Sequence, residues 1–373
     1  MNKKLLIVAV GAALVAGPML AAQAAAPTLY GHFHMSSDNI DNNNAKYGYI
    51  SSNSTRIGVK GDEDLGGGLK AIYQVEGGIL AVDTGVAGMG NTLRNSYLGL
   101  AGSSWGAVKV GRYDSPFKEL GRKLDNFNEE LGDMRNVLSG STSAASAYDN
   151  RLNNMIRYES PNMSGLTVNV AHSSNDASSL TAEGPGGSGK SNNNLGVNWS
   201  SGPIFVGAAY QKLGYNKGGT VTKDHDNSWR LAGAYTMDNL MVGLIYQDLK
   251  DIAGKDLNQK AMGLAASFKM ANNMIKFHYL TLDDLKGSTA AGANSDTGSK
   301  LWALGVDHMF SKTTKVYVDY AQAKNDNNTA GTSVISGNGG HGETLLTSSG
   351  VSGTNPGFGK KVKGISAGMV LNF

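Results

Sequence analysis

Apolar and polar residues alternate along most of the chain. In Leu195-Gly196-Val197-Asn198-Trp199 the large side chains fall on odd positions. Between Ala261 and Phe268 they are Met262, Leu264, Ala266 and Phe268, with small residues between them. Trp302, Leu304, Val306 and Phe310 repeat the pattern, with Asp307 on the other side. Successive side chains of a strand point to opposite faces, so period two predicts strands with one apolar and one polar face. Sixteen such segments run near 28–36, 54–62, 68–77, 95–102, 106–113, 151–159, 165–173, 192–200, 203–213, 227–236, 240–250, 258–269, 273–283, 300–310, 314–324 and 361–373. Most have about 9–11 residues, the length a tilted strand needs to cross a bilayer. Helical spacing is weak and confined to the stretch from Phe117 to Leu138.

The connections alternate as well. Ser103-Ser104-Trp105, Ser201-Gly202, Met237 to Asn239 and Met270 to Asn272 are short, whereas 37–53, 114–150, 174–191, 214–226, 284–299 and 325–360 are long. An even strand count with short turns at one rim and long loops at the other predicts an all-β, 16-stranded antiparallel transmembrane β-barrel of the bacterial outer-membrane type. A β-sandwich would bury its apolar faces in one core and has no need of alternating loop lengths. Aromatic positions agree with the barrel. Tyr158, Trp199, Tyr235, Phe268, Phe310 and Phe373 end descending strands on the apolar face, and Tyr210, Tyr246, Tyr279 and Tyr320 sit high on ascending ones. Two such girdles belong at the lipid headgroups. His308 is the misfit, a titratable group near the rim of the face assigned to lipid.

Composition narrows the reading. The 33 Lys+Arg and 30 Asp+Glu nearly cancel, unlike the basic excess of a nucleic-acid binder. The chain has no Cys, which excludes a disulfide scaffold, thiolate metal sites and a Cys nucleophile. Its 51 Gly suit small residues on crowded barrel walls and external loops. Residues 1–24 read as a secretory leader: Lys3 and Lys4, an apolar run to Leu20, then Ala22-Gln23-Ala24 as a small-x-small cleavage site. Residues 25–373 would form the barrel.

Two motifs point elsewhere. Gly184-Pro185-Gly186-Gly187-Ser188-Gly189-Lys190-Ser191 matches a phosphate-binding loop, but that motif works only between a buried strand and a helix. Here another alternating strand follows. His32 and His34 share one strand face at metal-ligand spacing, with no further ligand visible in the sequence, so they read as lumen side chains. No catalytic set and no cofactor motif is visible.

Several blocks together resemble the general bacterial outer-membrane porins. They are Thr28-Leu29-Tyr30-Gly31, Ser54 to Gly66, Tyr97-Leu98-Gly99-Leu100, Val108-Lys109-Val110-Gly111-Arg112, Arg151 to Tyr158 before Ser160-Pro161, and the terminal Phe373. The resemblance implies a homotrimeric channel in outer-membrane lipid and lipopolysaccharide, admitting ions and small hydrophilic solutes. It also implies that the third long loop, about 114–150, folds into the pore. A basic wall would then face acids on that loop. The matching wall positions are Arg56, Arg112 and Arg151, with His32 where the family can carry a Lys; a free His titrates near ~6.5. Strict alternation from Val108 and Val110 turns Arg112 outwards, so a bulge must re-aim it. The acidic side would be Glu129, Glu130 and Asp133, although the family's usual Pro-Glu-Phe-Gly-Gly tip is absent. Facing walls of opposite sign would set a transverse field across a narrow gap. A sugar- or anion-selective porin and a surface adhesin or receptor barrel are the alternatives. An aromatic ladder would favour sugars and a dense Lys ladder phosphate, and the expected inward positions form neither.

Overall fold

The structure is a computed structural model that describes residues 26–41, 46–79, 93–139, 148–174, 191–214, 222–287, 296–326 and 361–373. The leader 1–24, the phosphate-loop match up to Lys190 and nearly all of the final loop lie outside the described residues. The strands are β1 (Thr28–Asp41), β2 in two halves (Lys46–Ser52 and Arg56–Gly66), β3 (Leu69–Gly78), β4 (Ser96–Gly102), β5 (Gly106–Asp114), β6 (Arg151–Glu159), β7 (Leu166–Ser174) and β8 (Ser191–Ser201). They continue as β9 (Ile204–Leu213), β10 (Asn227–Met237), β11 (Leu240–Lys250), β12 (Leu257–Met270), β13 (Asn273–Leu282), β14 (Ser299–Met309), β15 (Thr314–Asn325) and β16 (Lys361–Asn372). Each pairs antiparallel with its neighbour, and β1 pairs with β16, so the sixteen strands close on themselves. An added two-residue segment, Lys286–Gly287, pairs with the start of β12.

Closure satisfies every sheet edge, which is what hydrocarbon demands of a strand. The seam runs to the last residue: Gly31 and Phe373 exchange backbone hydrogen bonds of 2.9 and 3.1 Å. The Phe373 ring lies where a Cβ on residue 31 would stand, so only Gly fits there. At the short rim the chain reverses in two residues at Gly202-Pro203, Asp238-Asn239 and Ala271-Asn272, with φ positive at the first of each pair. Primed turns of this kind match the twist of the flanking strands.

The apolar positions face outward. Leu98, Val110, Leu244, Val306, Val318 and Ile365 are exposed. The six lower aromatics, from Tyr158 to Phe373, are exposed too. Among the upper ones Tyr246 packs on Trp229 and Tyr320 on Trp302. His308 stays on this outer surface beside the short-rim turn, where its Nδ1 meets Asn273 Oδ1 at 2.8 Å and its ring edge meets Phe310.

One expectation changes and another holds. The long loop expected at 37–53 is largely strand, because β1 and the first half of β2 stay paired up to Asp41 and Lys46. Ser191 opens β8, not a helix, so the phosphate-loop match lacks the helix it needs. Among the described residues the large buried apolar cluster is inside the lumen. Phe117, Leu120, Leu124, Phe127, Leu131, Met134 and Leu138, all from the segment after β5, pack on small wall residues such as Ala209, Ala232, Ala265 and Ala303.

Candidate pore constriction

The segment after β5 turns inward through α1 (Pro116–Arg122) and α2 (Arg135–Leu138). Ser115 caps α1 by accepting from the Lys118 N–H at 3.1 Å, and Pro116 takes the first helical position, where a missing N–H costs nothing. The loop docks on the wall of β8–β15. Close approach needs small residues there: an added Cβ at Gly243 would lie 3.0–3.1 Å from Leu124, and one at Gly207 would meet Leu120. Charged clamps fix the edges. Arg230 reaches Asp149 at 3.0 Å and the Phe117 carbonyl at 2.9 Å. Glu130 is held by Lys276 and by Lys315 (2.8 Å), and both lysines also pair with Asp307 at 2.7 and 2.9 Å. Nearer β6, Arg157 and Lys109 match Glu119 and Glu159. Each of these groups balances its charge.

The opposite face of the loop meets β1–β6, and here Glu129 is the centre. Its carboxylate lies 3.1 Å from His32 Nε2, 3.0 Å from Arg56, 3.5 Å from Arg122 and 3.8 Å from Arg94. Glu129 adopts φ 66°, a left-handed conformation that sends successive side chains in unrelated directions. Asp133 holds that corner by accepting the Glu129 N–H at 2.8 Å. Burial raises the Glu129 pKa, but Arg56, His32 and Arg122 outweigh it and keep the carboxyl well below the usual range. Next to this group Asp114 takes Lys118 at 2.9 Å, Arg122 at 2.9 Å and Arg151 at 3.1 Å, and Arg94 takes Glu76 at 2.7 Å. Burial pushes the Lys118 ammonium down to about 7 against the pull of Asp114, and Arg122 and Arg151 add to the depression. Below the loop, on the short-turn side, lies a cavity of about 590 Å³ lined by Glu119, Arg122, Asn169, Asn198 and Ser200 among others.

A family profile described as Gram-negative porin matches residues 8–328. The chain belongs to the Gram-negative porins. It is 26% identical to an outer membrane porin protein of Bordetella pertussis, over 84% of this chain and 93% of that one. It is 30% identical to the major outer membrane protein P.IB of Neisseria lactamica, over 72% and 77% of the two chains. Among solved structures, the anion-selective porin from Comamonas acidovorans superposes with a TM-score of 0.67 at 22% identity, covering 94% of this chain and all of that one. The trimer form of Vibrio cholerae OmpT does so with a TM-score of 0.63 at 18% identity, over 95% and 100%.

In this porin the expected residues separate into four places. His32 and Arg56 meet at Glu129, and Arg151 lies beside them on Asp114. The break between the halves of β2, with Ser54 at φ 53°, aims Arg56: the Ser54 carbonyl accepts from its guanidinium at 2.9 Å. The register of β5 against β6 shifts between Gly111 and Tyr113, at Arg112. Arg112 donates to the Leu93 carbonyl (2.7 Å) and to the Asn153 side chain, and it is not among the cations on Glu129. Glu130 points away from the arginines to the lysine clamp. Asp133 is inside the loop, paired with Arg135 at 2.9 Å.

Arg94 and Arg122 also reach Glu129, and sequence reasoning missed both. Arg94 precedes β4 outside any strand, and Arg122 read only as part of a weakly helical stretch. His32, His34 and Glu129 offer ligand atoms within 4.8 Å of one another. Three guanidiniums share that carboxylate and His34 Nε2 meets the Tyr317 hydroxyl at 2.9 Å, which opposes a resident cation.

Proposed function

We propose that this porin is a passive diffusion channel whose narrowest passage runs between loop 114–150 and the wall of β1–β6. Ions and small hydrophilic solutes cross without chemistry. The residues we assign to the passage are His32, Arg56, Arg94, Arg122 and Arg151, with Glu129 beneath them. The observation that carries the assignment is the position of the loop. It is docked dry on one half of the lumen and charged toward the other. The working unit is a homotrimer in outer-membrane lipid and lipopolysaccharide, exported with residues 1–24 as a removable leader. Liposome swelling with sugars of increasing size tests this reading. Uptake graded by size is expected, one strongly preferred sugar would point to a selective porin, and no uptake would refute the channel.

A further inference from the structure

We infer that the passage prefers anions, and that Arg94 and Arg122 set this preference together with Arg56 and Arg151. The inference rests on the proposed channel and extends it to the class of solute.

The loop acid and the wall bases are in direct contact, so they form one ion-pair network and not two separated plates. That network links four guanidinium cations, Arg56, Arg94, Arg122 and Arg151, to three carboxylates, Glu129, Glu76 and Asp114, and Lys118 adds a further positive charge on Asp114 when it is protonated. His32 adds to the positive side whenever it is protonated. The other ion-pair groups that hold the loop balance one to one. Lys276 and Lys315 meet Glu130 and Asp307, Arg157 and Lys109 meet Glu119 and Glu159, Arg230 meets Asp149 and Arg135 meets Asp133. The surplus is therefore local to the passage.

Accessibility sharpens the point. The carboxylate side chains of Glu129, Asp114 and Glu76 are 1%, 3% and 9% exposed, whereas Arg56, Arg94, Arg122 and Arg151 are 20%, 14%, 24% and 11% exposed. A solute in the gap meets guanidinium edges with the acids behind them. The loop adds to the positive side through Arg122, which also lines the cavity below it. Further acids lie outside the network, among them Asp38, Asp125, Asp226 and Asp319. The four carboxylates are buried; Ser36, Ser51 and Ser366 donate to Asp38 and the Tyr148 hydroxyl donates to Asp226. Guanidinium is weakly hydrated and presents a planar fork of donors, so it exchanges its contacts with passing anions at little desolvation cost. A positive, narrow, low-dielectric passage concentrates anions and excludes cations.

The test is a planar-bilayer recording of the purified full-length mature protein in a potassium chloride gradient. A reversal potential of the sign set by chloride is expected. Arg122→Glu and Arg94→Glu should each reduce the chloride-over-potassium permeability ratio by roughly fivefold or more, since one unit charge about 4 Å from an ion in water is worth about 1 kcal/mol. Arg122→Gln, which removes the charge without reversing it, should give a smaller reduction and keeps the test available should the reversal variants not assemble. Conductance with a neutral or potassium-set reversal potential would overturn the anion preference and leave the channel standing. An unchanged ratio in both Arg122 variants would remove Arg122 from the passage. Protein that inserts and conducts nothing would refute the channel itself.

Discussion

The two halves of the lumen use charge in opposite ways. On the side of β8–β15 the loop covers the wall with Phe117, Leu120, Leu124 and Phe127, and the ionic groups at its edge are matched one to one. On the side of β1–β6 four arginines, joined by Lys118 when it is protonated, share three acids, and the arginine side chains keep partial contact with solvent. A buried charge costs several kcal/mol unless it is paired, so a dry interface has to be neutral. A hydrated gap imposes no such rule and leaves a surplus free to act on solutes. Charge balance thus separates the residues that hold the loop from those that face the passage.

The largest break in this contrast should come from the matched side. Lys276→Met leaves Glu130 and Asp307 sharing Lys315 alone, and losing one partner of a buried pair costs about 3–5 kcal/mol. The loop should undock, seen as a larger and noisier single-channel conductance and a lower melting temperature. Unchanged conductance would show that the clamp is dispensable.

Gly243→Val should act in the same direction but less strongly. Its methyls would press on Leu124, and overpacking a tight contact typically costs about 1–3 kcal/mol. The size limit in liposome swelling should rise. On the surplus side, Arg56→Gln should leave melting nearly unaltered, because Arg94 and Arg122 still hold Glu129. It should lower the chloride preference measured in a salt gradient. A Gln variant that melted as early as Lys276→Met would erase the distinction between the halves.

The smallest effect is that of pH. Lys118 is depressed from its ordinary 10.5 to about 7. Folding therefore disfavours its charged form, so its penalty is full below pH 7 and is relieved as pH rises from about 7 toward 10.5. Chloride preference should fall slightly as pH rises through about 7, when this ammonium loses its proton. Measured in a His32→Gln background, that step should vanish on adding Lys118→Met. Its persistence would assign the titration to another group.

Much of the protein was legible locally. Val197 and Trp199 face one way and Asn198 the other because a strand alternates, and no distant residue is needed to say so. The basic positions on strands, Arg56 and Arg151, could be picked out with His32 because each sits in a recognisable strand block. Glu129 and Glu130 could not be told apart. They are neighbours in an acidic stretch, and the left-handed backbone at Glu129 sends one to the arginines and the other to Lys276 and Lys315. Asp133 looked like a third tip acid but braces the corner from within.

The sequence by itself determined the strands, their number and the outward apolar face. These follow from period two, from turn spacing and from the bilayer's width, all of which act over a few residues. Only the tertiary structure decided which half of the wall the loop covers, which arginines meet Glu129, and where charge is left unbalanced. Those outcomes depend on residues as far apart as Arg56 and Glu129, or Glu130 and Lys315, which closure of the barrel and packing of the loop bring within 3.0 and 2.8 Å.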